Sequence, residues 1–65
     1  MQERAFIITR PTGFTVTCRP ASCAELWDAM AAHGWPAQHA AGDARDMWAH
    51  GARRGDRDPW SVTRG

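Results

Sequence analysis

The sequence predicts a single small α+β domain: an N-terminal antiparallel β-hairpin packed on two short helices, with room for a third strand at the C-terminus (ββααβ). Its 65 residues suffice for one domain spanning 1–65. Two β-rich runs flank a proline–glycine turn near the start of the chain, and two segments with apolar residues at helical spacing follow. These three observations define the fold class.

The predicted hairpin covers residues 4–19, RAFIITRPTGFTVTCR. Pro11 presets the backbone of a type I turn, and Gly13 accepts the left-handed conformation that closes a three-residue loop. This turn sets a register in which Arg10 lies opposite Phe14, Thr9 opposite Thr15, and so on along the two strands to Phe6 opposite Cys18. One face of the hairpin is then apolar, and we expect it to be the core face: Phe6, Ile8, Phe14, Val16 and Cys18. The other face is rich in threonine.

The first predicted helix covers residues 23–33. Ser22 and Glu25 form a capping box at its start, and Gly34 suits the position just beyond its end. An apolar stripe at helical spacing should pack on the hairpin: Cys23, Leu26, Trp27, Met30 and Ala31.

The second predicted helix is short and covers residues 44–50, with Asp43 as its N-cap. The preceding segment, 34–42, is expected to be a connector with at most one helical turn, because Pro36 disfavours helix at the residue before it. Residues 52–65 form a polar tail, in which alternation at 60–63 allows a third strand beside the hairpin.

Charge and hydropathy exclude several classes of protein. The net charge of +1, from eight arginines against seven acidic residues, predicts neither a polyanion binder nor a DNA mimic. No apolar stretch approaches the length of a transmembrane helix, and the first residues, MQERAF, lack the features of a signal peptide. We therefore expect a cytoplasmic protein without a membrane partner.

Cysteine and histidine side chains raise a metal-site hypothesis. Four residues are weak candidates for zinc ligands, because their spacing is near that of small zinc domains: Cys18, Cys23, His33 and His39. However, Cys18 lies on the predicted core face, and only nine residues separate Cys23 from His33, fewer than in finger-type sites. We therefore expect no metal or other cofactor, and keep a zinc-stabilised mini-domain as a second alternative.

Catalytic motifs are not evident in the sequence. Cys23 at a helix N-terminus would favour a thiolate, yet its spacing to Cys18 is not that of a Cys-x-x-Cys motif. There is no glycine-rich phosphate loop and no HExxH pair. We therefore expect no enzymatic activity.

Four tryptophans are more than one small core can comfortably bury. Trp27 and Trp48 lie on helical stripes and are predicted to be core residues. The other two lie in irregular segments, where they either contact a partner or pack as lids over the core. With the arginines of the tail they make up the predicted partner-binding set: Trp35, Arg53, Arg54, Arg57 and Trp60.

In length and build, the chain resembles the small accessory proteins that phages and mobile elements encode, among them anti-CRISPR proteins. The likeness is one of overall character, and no motif carries it. Our leading hypothesis is a non-catalytic module, monomer or homodimer, that inhibits or modulates a larger protein or protein–nucleic-acid complex. The alternative is a nucleic-acid-binding module that uses the Arg-rich C-terminal segment. Aspartates interleaved with these arginines cancel much of the positive electrostatic potential of the segment.

Overall fold

The computed structural model of the chain describes residues 4–52 and 57–65. Within these residues, five elements follow one another: β1 (Phe6–Thr9), β2 (Thr15–Cys18), α1 (Cys23–Ala32), α2 (Ala37–His50) and β3 (Ser61–Arg64). The strands form an antiparallel sheet in the order β2-β1-β3. The predicted α+β fold class is confirmed, including its third strand.

The hairpin has the register that the turn predicted. Phe6 lies opposite Cys18 and Thr9 opposite Thr15, with the two intervening pairs in step. The Gly13 amide donates to the Arg10 carbonyl at 2.8 Å and the Arg10 amide donates to the Phe14 carbonyl at 2.8 Å. Gly13 has a φ of +91°, which glycine adopts without steric cost. Turn chemistry and side-chain alternation therefore select the same pairing.

Strand β3 completes the sheet on the other side of β1. Its register sets Phe6 opposite Arg64 and Thr9 opposite Ser61. The strand runs one residue beyond the predicted 60–63 and contributes Val62, which is 3% exposed, to the core. A third strand therefore turns a marginal hairpin into a sheet whose central strand is paired on both edges.

Helix α1 begins and ends close to its predicted bounds. The Ser22 hydroxyl accepts a hydrogen bond from the Glu25 amide at 3.2 Å, and the Glu25 carboxylate accepts one from the Ala21 amide at 3.2 Å. His33 is the C-cap, followed by Gly34 at a φ of +91°. The predicted capping and termination are confirmed.

Helix α2 is twice as long as predicted, and its predicted start near residue 44 is wrong. It begins at Ala37, where the Pro36 carbonyl accepts from the amides of His39 and Ala40 at 2.9 and 3.0 Å. Pro36 is the N-cap of α2, a position whose backbone amide has no acceptor within the helix, so a residue without an amide hydrogen is tolerated there. Asp43 lies inside the helix rather than at its cap. The helix ends at His50, as predicted, with left-handed Gly51 as its C-cap.

The core lies between the sheet and the helices. Among residues 4–52 and 57–65, nine side chains form the buried hydrophobic core: Phe6, Ile8, Leu26, Met30, Trp35, Ala40, Ala44, Met47 and Val62. Val16, Cys18, Cys23, Trp48 and Trp60 are partly buried and pack against them. In the described part of the chain, neither helix is long and apolar enough to span a lipid bilayer.

Three residues predicted to pack in the core are at the surface instead: Phe14, Trp27 and Ala31. Phe14 is 59% exposed because it lies between the turn and the edge strand β2, where the Arg10 guanidinium lies 5.6 Å from its ring centroid. Trp27 is 47% exposed. Leu26 and Met30 fill the buried face of α1, and Trp27 projects from the side of that face, as does exposed Ala31.

We predict opposite effects for two glycine-to-alanine changes. Gly13→Ala should destabilise the fold by about 1 kcal/mol, because its left-handed φ strains any residue with a Cβ. Gly42→Ala should stabilise it by about 0.5–1 kcal/mol, because Gly42 is exposed inside α2 and an added Cβ meets no atom within 4 Å. Urea denaturation followed by tryptophan fluorescence measures both. Equal shifts of the same sign would contradict the assigned backbone conformations.

Candidate functional site

A buried carboxylate lies at the centre of the molecule's polar interactions. Asp43 is 2% exposed, and its Oδ2 accepts two hydrogen bonds, from Trp35 Nε1 at 3.0 Å and from Arg57 Nε at 2.9 Å. These three residues belong to the connector between the helices, to α2 and to the segment before β3. The Asp43 side chain therefore links the connector between the helices to the segment before β3.

The partners of Asp43 follow from the cost of burying polar groups. A buried indole N–H needs an acceptor, and a buried carboxylate needs donors and a counter-charge. Trp35 supplies one donor, while Arg57 supplies a second donor and the charge. The three groups satisfy one another, so we call Trp35, Asp43 and Arg57 the buried polar cluster.

Trp35 was predicted either to contact a partner or to pack as a lid over the core. Its side chain is 2% exposed and lies within the hydrophobic core. Trp60 packs on it with ring centroids 5.7 Å apart and covers Gly34, where an added Cβ would meet the Trp60 ring at 3.3 Å. Trp60 is half-buried and keeps some accessible surface.

The predicted partner-binding arginines have separate outcomes. Arg57 is held by Asp43, with 21% of its side chain exposed, which limits what it can offer to a ligand. Arg53 and Arg54 lie outside the described residues. Three of the five predicted contact residues, Trp35, Arg57 and Trp60, thus come together, but around a structural cluster. The buried role of Asp43 was not predicted, because its residue type and position also fit a helix N-cap.

Two large apolar side chains are exposed in the part of the chain that the structure describes, Phe14 at 59% and Trp27 at 47%. Trp27 has exposed neighbours on α1, which include two small residues at helical spacing from it. We call the surface made by Ala24, Trp27, Asp28 and Ala31 the α1 surface. Sequence reasoning missed it, because Trp27 fits the apolar stripe as well as Leu26 does.

The hairpin tip is fastened to the end of α1. An Arg10 guanidinium nitrogen donates to His33 Nδ1 at 3.0 Å. The same guanidinium lies over the Phe14 ring. His33 is thereby engaged in a fold contact, with the ring nitrogen that faces Arg10 serving as an acceptor.

The candidate zinc ligands are not assembled into a site. Among residues 4–52 and 57–65, no group of three or more His, Cys, Asp or Glu side chains is placed to hold a metal ion. Cys18 and Cys23 are free thiols. His33 faces Arg10, and His39 lies 3.4 Å from the Gln38 amide. The zinc-stabilised alternative therefore has no support from this geometry.

Burial also sets the chemistry of Cys18. Desolvation raises the pKa of its thiol, and a hydrogen bond to its own backbone offsets part of that rise. A thiol with a raised pKa is a poor nucleophile near neutral pH, since the thiolate is the reactive form. Cys18 therefore has the character of a packing residue.

No protein-family model, curated protein or solved structure matches the chain.

We predict that removing the Asp43 carboxylate destabilises the fold severely. Asp43→Ala removes the buried acceptor shared by Trp35 Nε1 and Arg57 Nε, which should cost about 3 kcal/mol. A domain of this size holds only about 3–5 kcal/mol in total, so the variant should be partly unfolded at room temperature. The matched control is exposed Asp28→Ala, expected to stay within about 0.5 kcal/mol. Comparable urea midpoints for the two variants would show that the cluster does not stabilise the fold.

We predict that Cys18 reacts slowly with alkylating reagents. In a Cys23→Ser variant, where Cys18 is the remaining thiol, the pH midpoint of iodoacetamide alkylation should be higher in the folded chain than in concentrated urea. The sign follows from the raised pKa, which lowers the thiolate fraction at any given pH. A midpoint that is unchanged or lower in the folded chain would contradict burial of Cys18.

Proposed function

We propose that this chain is a small non-catalytic protein-binding module, and that it contacts a larger partner through the α1 surface. The observation that carries the proposal is the exposure of Trp27 in the middle of α1. Leu26 and Met30 on the same helix are both 0% exposed, so the domain has its core without Trp27. A large aromatic side chain left outside a satisfied core is available for recognition.

The neighbourhood of Trp27 suits it as an anchor. Ala24 and Ala31 are small, so a partner can approach the indole ring from both ends of the helix. Asp28, also exposed on α1, adds a charged group to this surface, as in the polar rim that surrounds many hot spots. Tryptophan is also among the residues most enriched at such hot spots, where it fills an apolar pocket.

The engagement of polar side chains elsewhere supports binding over catalysis. Asp43 and Arg57 satisfy each other within the buried polar cluster, and Arg10 and His33 fasten the hairpin tip to α1. Groups fixed in fold contacts of this kind are poorly placed to act as acid, base or nucleophile toward a substrate. Recognition through an apolar side chain needs none of them.

The size of the chain favours a larger partner. A helix face carrying one aromatic anchor is convex, and its complement is an apolar pocket or groove on another protein. A 65-residue domain seated there would block access to the partner's surface, which is inhibition by occupancy. An inhibitor of the anti-CRISPR kind, encoded by a phage or mobile element, is the narrower form of this proposal.

The test is site-directed photo-crosslinking from α1. A benzoylphenylalanine in place of Ala31 lies one helical turn from Trp27, and we expect it to capture a specific protein in extracts of the native host. With that protein purified, Trp27→Ala should weaken binding by about 2 kcal/mol or more, roughly 30-fold in Kd, as measured by calorimetry.

The matched control is the same crosslinker in place of Thr63, an exposed residue on β3 away from the helices. It should not capture that protein. Trp27→Ala must also keep the free energy of unfolding, measured by urea denaturation, to within about 1 kcal/mol of the wild-type value, since the side chain is half outside the core. Capture that is equal from both positions, or binding unchanged by Trp27→Ala, would overturn the proposal.

A further inference from the structure

Strand β2 leaves one edge of the sheet open. It is the first strand in the order β2-β1-β3, so no strand in the described part of the chain lies on its outer side. Charged residues and proline commonly keep a sheet edge from pairing, and β2 has neither between Thr15 and Cys18. The outer edge of β3, in contrast, carries the exposed and charged Arg64.

The register identifies which backbone groups point outward from β2. The Arg10 amide bonds to the Phe14 carbonyl, and hydrogen-bonded pairs alternate along an antiparallel ladder. Val16 and Cys18 therefore bond inward to β1. The amides and carbonyls of Thr15 and Thr17 point to the open edge, and both residues are exposed.

We propose that β2 pairs antiparallel with β2 of a second copy of this chain, which joins two three-stranded sheets into a six-stranded sheet. A two-fold axis beside Val16 sets Thr15 of each copy opposite Thr17 of the other. In this register both outward residues of both strands form complete hydrogen-bonded pairs, which gives four backbone hydrogen bonds. Moving the register by one pair in either direction sets one of the threonines against a residue outside β2.

The side chains complement one another in the same register. Val16 meets Val16 of the second copy, a cross-strand pair of β-branched residues that stabilises sheets. Phe14 comes opposite Cys18 of the second copy on the helix-bearing side of the sheet, in a pair of the closely spaced kind. The pairing thus covers Phe14, which is 59% exposed in the single chain, and it covers half-buried Cys18 as well.

Charge presents no obstacle to this pairing. The net charge of each copy is +1, so long-range repulsion is small. Arg19 follows β2 and comes opposite Gly13 of the second copy, where no like charge faces it. A second copy is the occupant that the edge fits best, because in this register the strand is its own complement in hydrogen bonds and in side chains.

The contact is small, and its strength is limited accordingly. Two four-residue strands with flanking side chains bury less than the roughly 1,200 Å² of a standard interface. We expect a dissociation constant on the order of 0.1–1 mM. The pairing is therefore a feature of concentrated or locally enriched protein.

The test is a concentration series of the ¹⁵N-labelled chain, from about 0.05 to 2 mM, which brackets this constant. The Thr15 and Thr17 amides should shift with concentration and exchange more slowly with solvent at the high end, while the outward amides of β3, Val62 and Arg64, stay unchanged. Sedimentation equilibrium should give an average mass that rises toward twice that of the chain. Shifts confined to the β3 amides, or none at all, would overturn the proposal.

Two variants make the test specific. Thr17→Pro removes an outward amide without removing a bond to β1, and it should raise the dissociation constant about tenfold or more. Arg64→Pro makes the same change at the open edge of β3 and should leave association unaltered. Phe14→Ser, which keeps the backbone intact, should also weaken association, so the proposal stays testable if Thr17→Pro does not fold. Wild-type association in both Thr17→Pro and Phe14→Ser would exclude β2 pairing. Trp27→Ala should leave association unaltered, so this proposal and partner binding fail independently.

Discussion

The arrangement of this domain depends on the carboxylate of Asp43. A chain this short buries few apolar side chains and has no disulfide among its described residues, so its irregular segments need another tether. Asp43 provides it by accepting from both Trp35 and Arg57. The bond to Trp35 holds the large indole ring in the core, and the bond to Arg57 fixes the segment that leads into β3. That segment leads directly into β3, the strand that pairs with the side of β1 opposite β2.

This tether also explains how four tryptophans are distributed in so small a domain. Trp35 is buried because its N–H has a buried acceptor, and Trp60 packs on it as a lid. Trp48 stacks on Phe6 at 6.1 Å and is capped by Arg4, whose guanidinium lies 4.2 Å from its ring centroid. No comparable place remains for Trp27, which stays half outside the core. Its exposure is therefore a consequence of a core that is already filled.

The sequence predicted those parts of the fold that local chemistry determines. The turn through Pro11 and Gly13 set the hairpin register, and the Ser22–Glu25 capping box set the start of α1. The sequence-based prediction failed at the start of α2, where two local signals competed. Asp43 and Pro36 both suit a helix start. Helix α2 begins at Ala37 with Pro36 as its N-cap, and Asp43 lies inside the helix, where it bonds to Trp35 and Arg57. These contacts span segments that sequence periodicity treats separately.

The candidate surfaces were harder to predict for a related reason. Helical spacing assigns Trp27 and Leu26 to one stripe, and alternation assigns Phe14 and Val16 to one face, but neither pattern says how far the opposing layer extends. Both exposed aromatics lie at the margin of that layer. They also serve different kinds of contact, since Trp27 offers a side chain and β2 offers backbone. If β2 pairing and Trp27 docking both hold, each dimer presents two anchors, and a partner with two matching pockets is bound with avidity that neither contact has alone.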